Sequence, residues 1–291
     1  MRHAFLITAY RDPAALLELV QDLGPAAYVH IHWDRKQPIG EEWADRIGAM
    51  PTVHTFSRRF RVNWGSTRHL QVILFLAREA LKDHGIDRVH TITGSDRPVL
   101  SANAMDHFFQ QKADREFMEL FPLPTDRWEG GGLQRLTLFH PLDHLDVRRT
   151  WHSRLRNYFI KAQRTLGVQR SLKALPPLYG GSTWWSLTGQ CVRWMLMRID
   201  ERPQLLKSFR MTHVPEEIFF QTMIMDSPFA GRVVNDNLRY IDWRMRNGHE
   251  PAILDLSDLP KILSSGKLFA RKLEHPISTE LIAQLREHCA H

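Results

Sequence analysis

Cysteine is scarce, with Cys191 and Cys289 the two in 291 residues. Two thiols that far apart form neither a disulfide framework nor a zinc-binding set, and they point to a reducing compartment. Long apolar runs are missing too: no stretch approaches the ~20 residues that a membrane span needs. The opening MRHAFLITAYRDP holds one short apolar run, stopped by Tyr10-Arg11-Asp12-Pro13. It reads as a strand rather than a signal peptide. There is no internal repeat, low-complexity tract or linker, so 1–291 is expected to form a single domain. Carboxylates are outnumbered, with 32 Asp and Glu against 39 Lys and Arg, a formal charge of +7. That balance suits nucleotides, nucleic acid or an anionic membrane surface. The cations are scattered, however, and Arg58-Arg59-Phe60-Arg61 and Arg148-Arg149 are short clusters without a basic tail. A solvated surface accounts for most of them. What the chain does have is a 43% apolar content, ample for a large core, and nine tryptophans. Aromatic rings at that density fill cores or make stacking platforms.

The first half alternates strand and helix signals. Strands are expected at 4–9, 27–32, 52–56, 88–93 and 116–120. Helices are expected at 13–22, stopped by Gly24-Pro25, at 66–84 with Gly85 as C-cap, and at 101–111. Such alternation implies an α/β fold, a mostly parallel Rossmann-type sheet with helices on both faces. The second half is less regular. Loops are expected at 126–132 and 176–182, a basic amphipathic helix at 151–166, and helices at 188–199 and 278–289. Short strands or ordered loops are expected at 239–243, 252–254 and 268–272.

In open parallel sheets, ligands bind at the carboxyl ends of strands. Three expected strand ends are polar: Thr8-Ala9-Tyr10, His30-Ile31-His32-Trp33-Asp34-Arg35-Lys36 and Thr93-Gly94-Ser95-Asp96-Arg97-Pro98. They suit a nucleotide, although loops at strand ends are commonly polar. His30, His32 and Asp34 alternate on a strand, which allows a metal-dependent hydrolase as one alternative and satisfied core histidines as another. Asp34 equally suits a ribose hydroxyl or a base edge. No Asp-x-Asp pair occurs, so a diphosphate would have to be neutralised by Arg or Lys. Arg239, Arg271 and Lys272 lie in apolar runs and need partners, either phosphate or nearby acids such as Asp242 and Glu274. Val62-Asn63-Trp64-Gly65-Ser66 and Gly181-Ser182-Thr183-Trp184-Trp185-Ser186 place tryptophans near helix starts, where they stack on sugars or fill the core. Val214-Pro215-Glu216-Glu217-Ile218-Phe219-Phe220 reads as a helix start with two carboxylates in its first turn. Locally these are dipole-compensating residues, and either is also a general-base candidate if its surroundings tune it.

Taken in order, ITAYRDP (7–13), HIHWDRK (30–36), VNWGS (62–66), TITGSDRPV (91–99), GSTWWSLT (181–188), VPEEIFFQT (214–222), LRYIDW (238–243) and LFARKLE (268–274) resemble the Core-2/I-branching glycosyltransferase family. That family includes β-1,6-N-acetylglucosaminyltransferases and peptide O-xylosyltransferases. The resemblance implies a GT-A-like fold and inverting transfer from a UDP-sugar, N-acetylglucosamine favoured and xylose allowed, without a divalent metal. It implies Glu217 as catalytic base, with Arg239 and Lys272 on the donor diphosphate and Asp34 near the uridine. Tyr10, Trp64 and Asp96 fall in donor-side motifs. Trp184, Trp185 and Glu216 fall on the sugar or acceptor side. It divides the domain into a nucleotide-binding half, 1–120, and an acceptor-side half, 121–291. The expected acceptor is a glycan or lipid-linked saccharide, and no nucleic-acid partner is expected despite the charge. Without an anchor or cysteine framework, the chain reads as a bacterial-type cytoplasmic form. Peripheral contact at the inner membrane face is the expectation attached to its basic helix.

Overall fold

The local signals assemble around one sheet. The computed structural model describes residues 1–290. In chain order, β1 (His3–Ala9), α1 (Pro13–Asp22), β2 (Tyr28–Trp33), α2 (Glu41–Gly48), β3 (Val53–Ser57), α3 (Thr67–Ala80) and β4 (Arg88–Thr93) form a regular α/β run. Then come β5 (Asp96–Pro98), α4 (Ala102–Gln110), β6 (Glu116–Met118), β7 (Phe121–Pro122), α5 (Gln134–Thr137), α6 (Thr150–Thr165), β8 (Tyr179–Gly180) and β9 (Trp185–Thr188). The chain continues through α7 (Gly189–Glu201), α8 (Pro203–Ser208), α9 (Glu216–Met225), β10 (Val233–Asn235), β11 (Arg239–Ile241), α10 (Leu259–Ser264), β12 (Phe269–Arg271) and α11 (Thr279–Ala290).

The main sheet has the order β10-β6-β9-β4-β1-β2-β3, parallel except for β9, which runs antiparallel to β4 and β6. Alternation along β1 sends Ala4 and Leu6 to one face and Phe5, Ile7 and Ala9 to the other. The first face packs under α3, α7 and α9, and the second under α1, α2 and α4. Both faces are thus covered by helices, as parallel strands require. A three-stranded sheet, β11-β12-β5, sits to one side and packs on α10 and α11 through Val99, Ala270, Ile262, Leu281 and Ile282.

The chain goes outward from β1 through β2 to β3, then returns to β4 on the other side of β1. This reversal opens a crevice at the carboxyl ends of β1, β2 and β4. Several elements differ from the sequence expectation: α5, α8, α10 and β10 were not foreseen, and β8 lies in an expected loop. The helix expected at 66–84 stops at Ala80, because Asp83 Oδ1 takes the Gly85 N–H at 2.7 Å and turns the chain toward β4. Gly85 is therefore not its C-cap. Helix α2 was not expected; it is short and mostly charged, and it buries only Ile47, with Trp43 partly covered one turn before it. Residues 185–188, read as leading into a helix, form β9 in the interior of the sheet. Segment 252–254 is an ordered loop, tied by Ala252 N–H to Asp242 O and Leu254 N–H to Lys272 O.

Candidate active site

The crevice widens into a cleft of about 690 Å³, within the usual range for small-molecule sites. Its walls come from the ends of β1, β2 and β4, the turn before α3, the start of α9 and the end of β12.

Glu217 enters from α9. The preceding Val214 has φ of +50°, an uncommon conformation for a β-branched residue. Its N–H donates to Gly65 O at 2.8 Å, which ties the start of α9 to the Trp64-Gly65 turn. The Glu217 carboxylate accepts from Arg135 Nη1 at 2.8 Å. Burial pushes its pKa up, the neighbouring Glu216 charge pushes it further, and Arg135 pulls it partly back, leaving it at about 7. A carboxylate tuned near neutrality is suited to take a proton at physiological pH.

Glu216 is buried and does not cap the helix. Its Oε1 lies 2.7 Å from His69 Nδ1, and its Oε2 has no partner. Burial disfavours a charge on His69, yet Glu216 outweighs this and holds the imidazole pKa above its ordinary value. His69 lines the cleft, with Nε2 3.5 Å from Thr8 Oγ1. Sequence reading missed it, since a single histidine one turn into an apolar helix carries no distinguishing pattern.

At the end of β2, Asp34 is buried and accepts the Lys36 and Val62 N–H groups on Oδ1 at 3.0 and 3.1 Å. Its Oδ2 makes no hydrogen bond among the described residues. Tyr10 and Trp64 are exposed at the cleft wall. Arg148 lies over the Tyr10 ring, and Trp64 stands edge-on to His213. From β12, Arg271 lies over the Trp184 ring at 4.6 Å and Lys272 Nζ pairs with Glu274 at 3.0 Å.

The model of the Core-2/I-branching enzyme family matches residues 3–263. The chain belongs to that family. It is also similar to xylosyltransferase oxt of Drosophila pseudoobscura pseudoobscura, 25% identical over 99% of this chain and 33% of the relative. The Drosophila melanogaster xylosyltransferase oxt is 24% identical over the same shares. Xylosyltransferase 2 of Bos taurus is 24% identical over 95% of this chain and 32% of its own length. The chain therefore spans about a third of these relatives.

For this branching-enzyme family member, several residues named from the sequence lie elsewhere than in the cleft. Arg239 does not reach it. Its guanidinium is buried over the Phe269 ring and donates to Ser186 Oγ at 3.1 Å, to Thr91 O at 2.8 Å and to Asn237 O. Burial lowers its pKa to about 10. The cation beside Lys272 in the cleft is instead Arg271, because the register of β12 turns that side chain toward Trp184. Asp96 is fully buried behind the wall, where it accepts Arg271 Nη1 at 2.9 Å and the Thr93 N–H at 2.6 Å. It holds the arginine in place and does not line the cleft. Trp185 is also fully buried and packs against Phe220 in the core, while Trp184, one residue earlier, lines the cleft. Glu216 reaches the wall but directs its carboxylate to His69 rather than standing free for a sugar.

His30 and His32 do not gather with Asp34 into a ligand set. His30 Nδ1 meets Thr55 Oγ1 at 3.0 Å, and His32 Nε2 accepts the Phe60 N–H at 3.0 Å. Burial lowers both pKa values to about 4, so both rings are neutral. Among the described residues no three His, Cys, Asp or Glu converge as a metal site, which leaves the hydrolase alternative without its ligands. From the segment 126–175, Trp128, Arg135 and Arg148 reach the cleft.

Proposed function

We propose that this chain is a glycosyltransferase that moves a sugar from a UDP-sugar to a hydroxyl of a glycan or lipid-linked saccharide, with inversion and without a divalent metal. The observation that carries this reading is one cleft that holds both a carboxylate with a pKa of about 7 and, on its β12 side, the cations Arg271 and Lys272. Uridine sits beside Asp34 at the end of β2, and the diphosphate lies along Arg271 and Lys272. Arg271 is oriented by Asp96 through Nη1, and its Nη2 makes no hydrogen bond among the described residues. That leaves a donor for a phosphate oxygen. Trp184 offers an aromatic face to the sugar.

The acceptor oxygen attacks the anomeric carbon as the bond from that carbon to the β-phosphate oxygen breaks. Glu217 takes the acceptor proton, and the electron pair leaves with UDP. Arg271 and Lys272 stabilise the charge that develops on the diphosphate. Arg135, bonded to Glu217 in the free protein, is the group that the acceptor hydroxyl displaces.

The test is transfer from UDP-xylose, included because the relatives bear the xylosyltransferase name, and from UDP-N-acetylglucosamine, the donor favoured by the sequence resemblance. The first expectation is turnover that survives EDTA. Glu217→Gln is expected to lower kcat by about 10²- to 10⁴-fold while UDP binding persists. Full activity of Glu217→Gln, or dependence on an added divalent ion, overturns the reading.

A further inference from the structure

Helix α6 buries one narrow face and leaves an apolar stripe on the other. Ile160 and Gln163 point inward, with Gln163 bonded to the Phe139 backbone. On the opposite face, Trp151, Leu155 and Tyr158 are 61%, 45% and 72% exposed. Leu166, just past the helix, is 76% exposed. The positions 151, 155, 158, 162 and 166 recur at helical spacing, so they form one stripe along the axis. Isolated exposed apolar residues need no explanation, whereas a continuous aromatic and aliphatic stripe does.

The charge around this stripe has one sign. Between Asp146 and Asp200 the sequence contains no Asp or Glu, and residues 148–173 hold eight Lys and Arg. Of these, Arg148, Arg149, Arg154, Lys161, Arg164 and Lys173 are exposed. At helical spacing Arg154 and Lys161 share one flank of the stripe. An apolar stripe bordered by basic side chains, with tryptophan and tyrosine in it, is the make-up of a helix that lies in a bilayer interface. No helix of the structure is long and apolar enough to cross a membrane, so the geometry is that of lying on one.

We infer that the exposed face of α6 docks the protein on an anionic lipid surface, with Trp151, Leu155, Tyr158 and Leu166 entering the interface and the flanking cations meeting lipid phosphates. Charge complementarity selects that occupant: an anionic headgroup layer with apolar chains beneath it satisfies both halves of the face. A polyanion such as nucleic acid would answer the cations but leave the leucines unpaired. The same face adjoins the cleft, because Arg148, two residues before α6, lines the cleft wall. Docking would hold the cleft close to membrane-borne molecules. This inference stands apart from the catalytic reading and is tested without turnover.

The experiment is co-sedimentation of the full chain with vesicles of phosphatidylcholine alone and of phosphatidylcholine with 30 mol% phosphatidylglycerol. Binding is expected on the anionic vesicles, falling about tenfold or more between 0.1 and 0.5 M salt. Trp151→Ser with Tyr158→Ser is expected to lose at least about tenfold in partitioning, with an unchanged melting curve because both sites are exposed. Arg154→Glu with Lys161→Glu is expected to lose a similar factor on anionic vesicles. Equal binding of either pair and the parent overturns the inference. So does equal binding to neutral vesicles, or binding to a 20-mer oligonucleotide that the Trp151 and Tyr158 substitutions leave unchanged.

Discussion

The chemistry turns on how single carboxylates are dressed. Glu216 and Glu217 are neighbours with the same side chain, yet one is closed by His69 and the other opens to the cleft beside Arg135. The pKa of about 7 at Glu217 exceeds the ordinary glutamate value, so its proton is retained across the window between them. A general base must be deprotonated, so kcat is expected to fall as pH drops below about 7, approaching tenfold per unit, and to level off above it. A pH–rate profile checks this, and an acid limb near 4.5 would contradict it. The same window has a stability consequence of the opposite sense. A carboxyl whose folded pKa is raised contributes stability below the unfolded pKa that is lost as pH rises through the folded value. The two candidate arginines separate cleanly in mutants. Arg271→Ala is expected to weaken UDP binding by roughly tenfold to a hundredfold, the loss of one charge-assisted contact. Arg239→Met is expected instead to cost about 3 kcal/mol of stability by orphaning buried acceptors, with UDP affinity of the folded protein retained. Calorimetric titration with UDP and thermal unfolding distinguish the two. The sequence could place both arginines in apolar runs; it could not say which faced the cleft, because that depends on how β11 and β12 pair with β5.

At the level of elements, the site is held by loops that cross between distant strands. Gly181 donates its N–H to Glu217 O at 2.9 Å, and a Cβ there would meet Glu119 O at 2.0 Å. Both contacts are to backbone, so neither can swing aside. Gly181→Ala is expected to destabilise the fold by about 1–3 kcal/mol and to depress kcat by displacing the start of α9. Melting temperature and transfer rate measured together check this, and parent-like values for both would show the loop to be slack. The helix start at 214–220 was legible because proline and paired acids are local signals. Helices α1, α4 and α6 were legible for the same reason, through apolar period and flanking Gly, Pro or Ser. Helix α2 was not, since Ile47 is its one buried residue. Strand β9 was not either, because Trp184-Trp185 looks alike whether both rings or one of them enters the core.

Across the whole molecule, the alternation of strands and helices made the parallel sheet readable, whereas the insertion of β9 between β4 and β6 was not. Its partners β4 and β6 lie about a hundred and about seventy residues earlier in sequence, respectively, and no local period encodes such pairings. The C-terminal region shows how far the site depends on assembly of the full chain. Strand β12 carries Arg271 and leads into Lys272, and it is pinned between β11 and β5. Helix α11 covers that layer with Leu281, Ile282 and Leu285 and is tied to α1 by Arg286, which reaches Asp22 at 2.6 Å and Glu18 at 3.0 Å. The cations are therefore fixed by strand pairing and by Asp96, while the helix serves as cover. Removing residues 279–290 strips three buried aliphatic side chains from the core, a loss of about 5 kcal/mol at roughly 1.5–3 kcal/mol each. It leaves β12 in register, along with the Ser278 hydroxyl that donates to Leu254 O at 2.6 Å. The expected result is a much lower melting temperature with UDP binding intact below it. Removing 268–290 takes β12 as well, and UDP binding is expected to vanish at every temperature. Loss of UDP binding in the shorter deletion, measured well below its melting point, would mean that α11 itself shapes the diphosphate site.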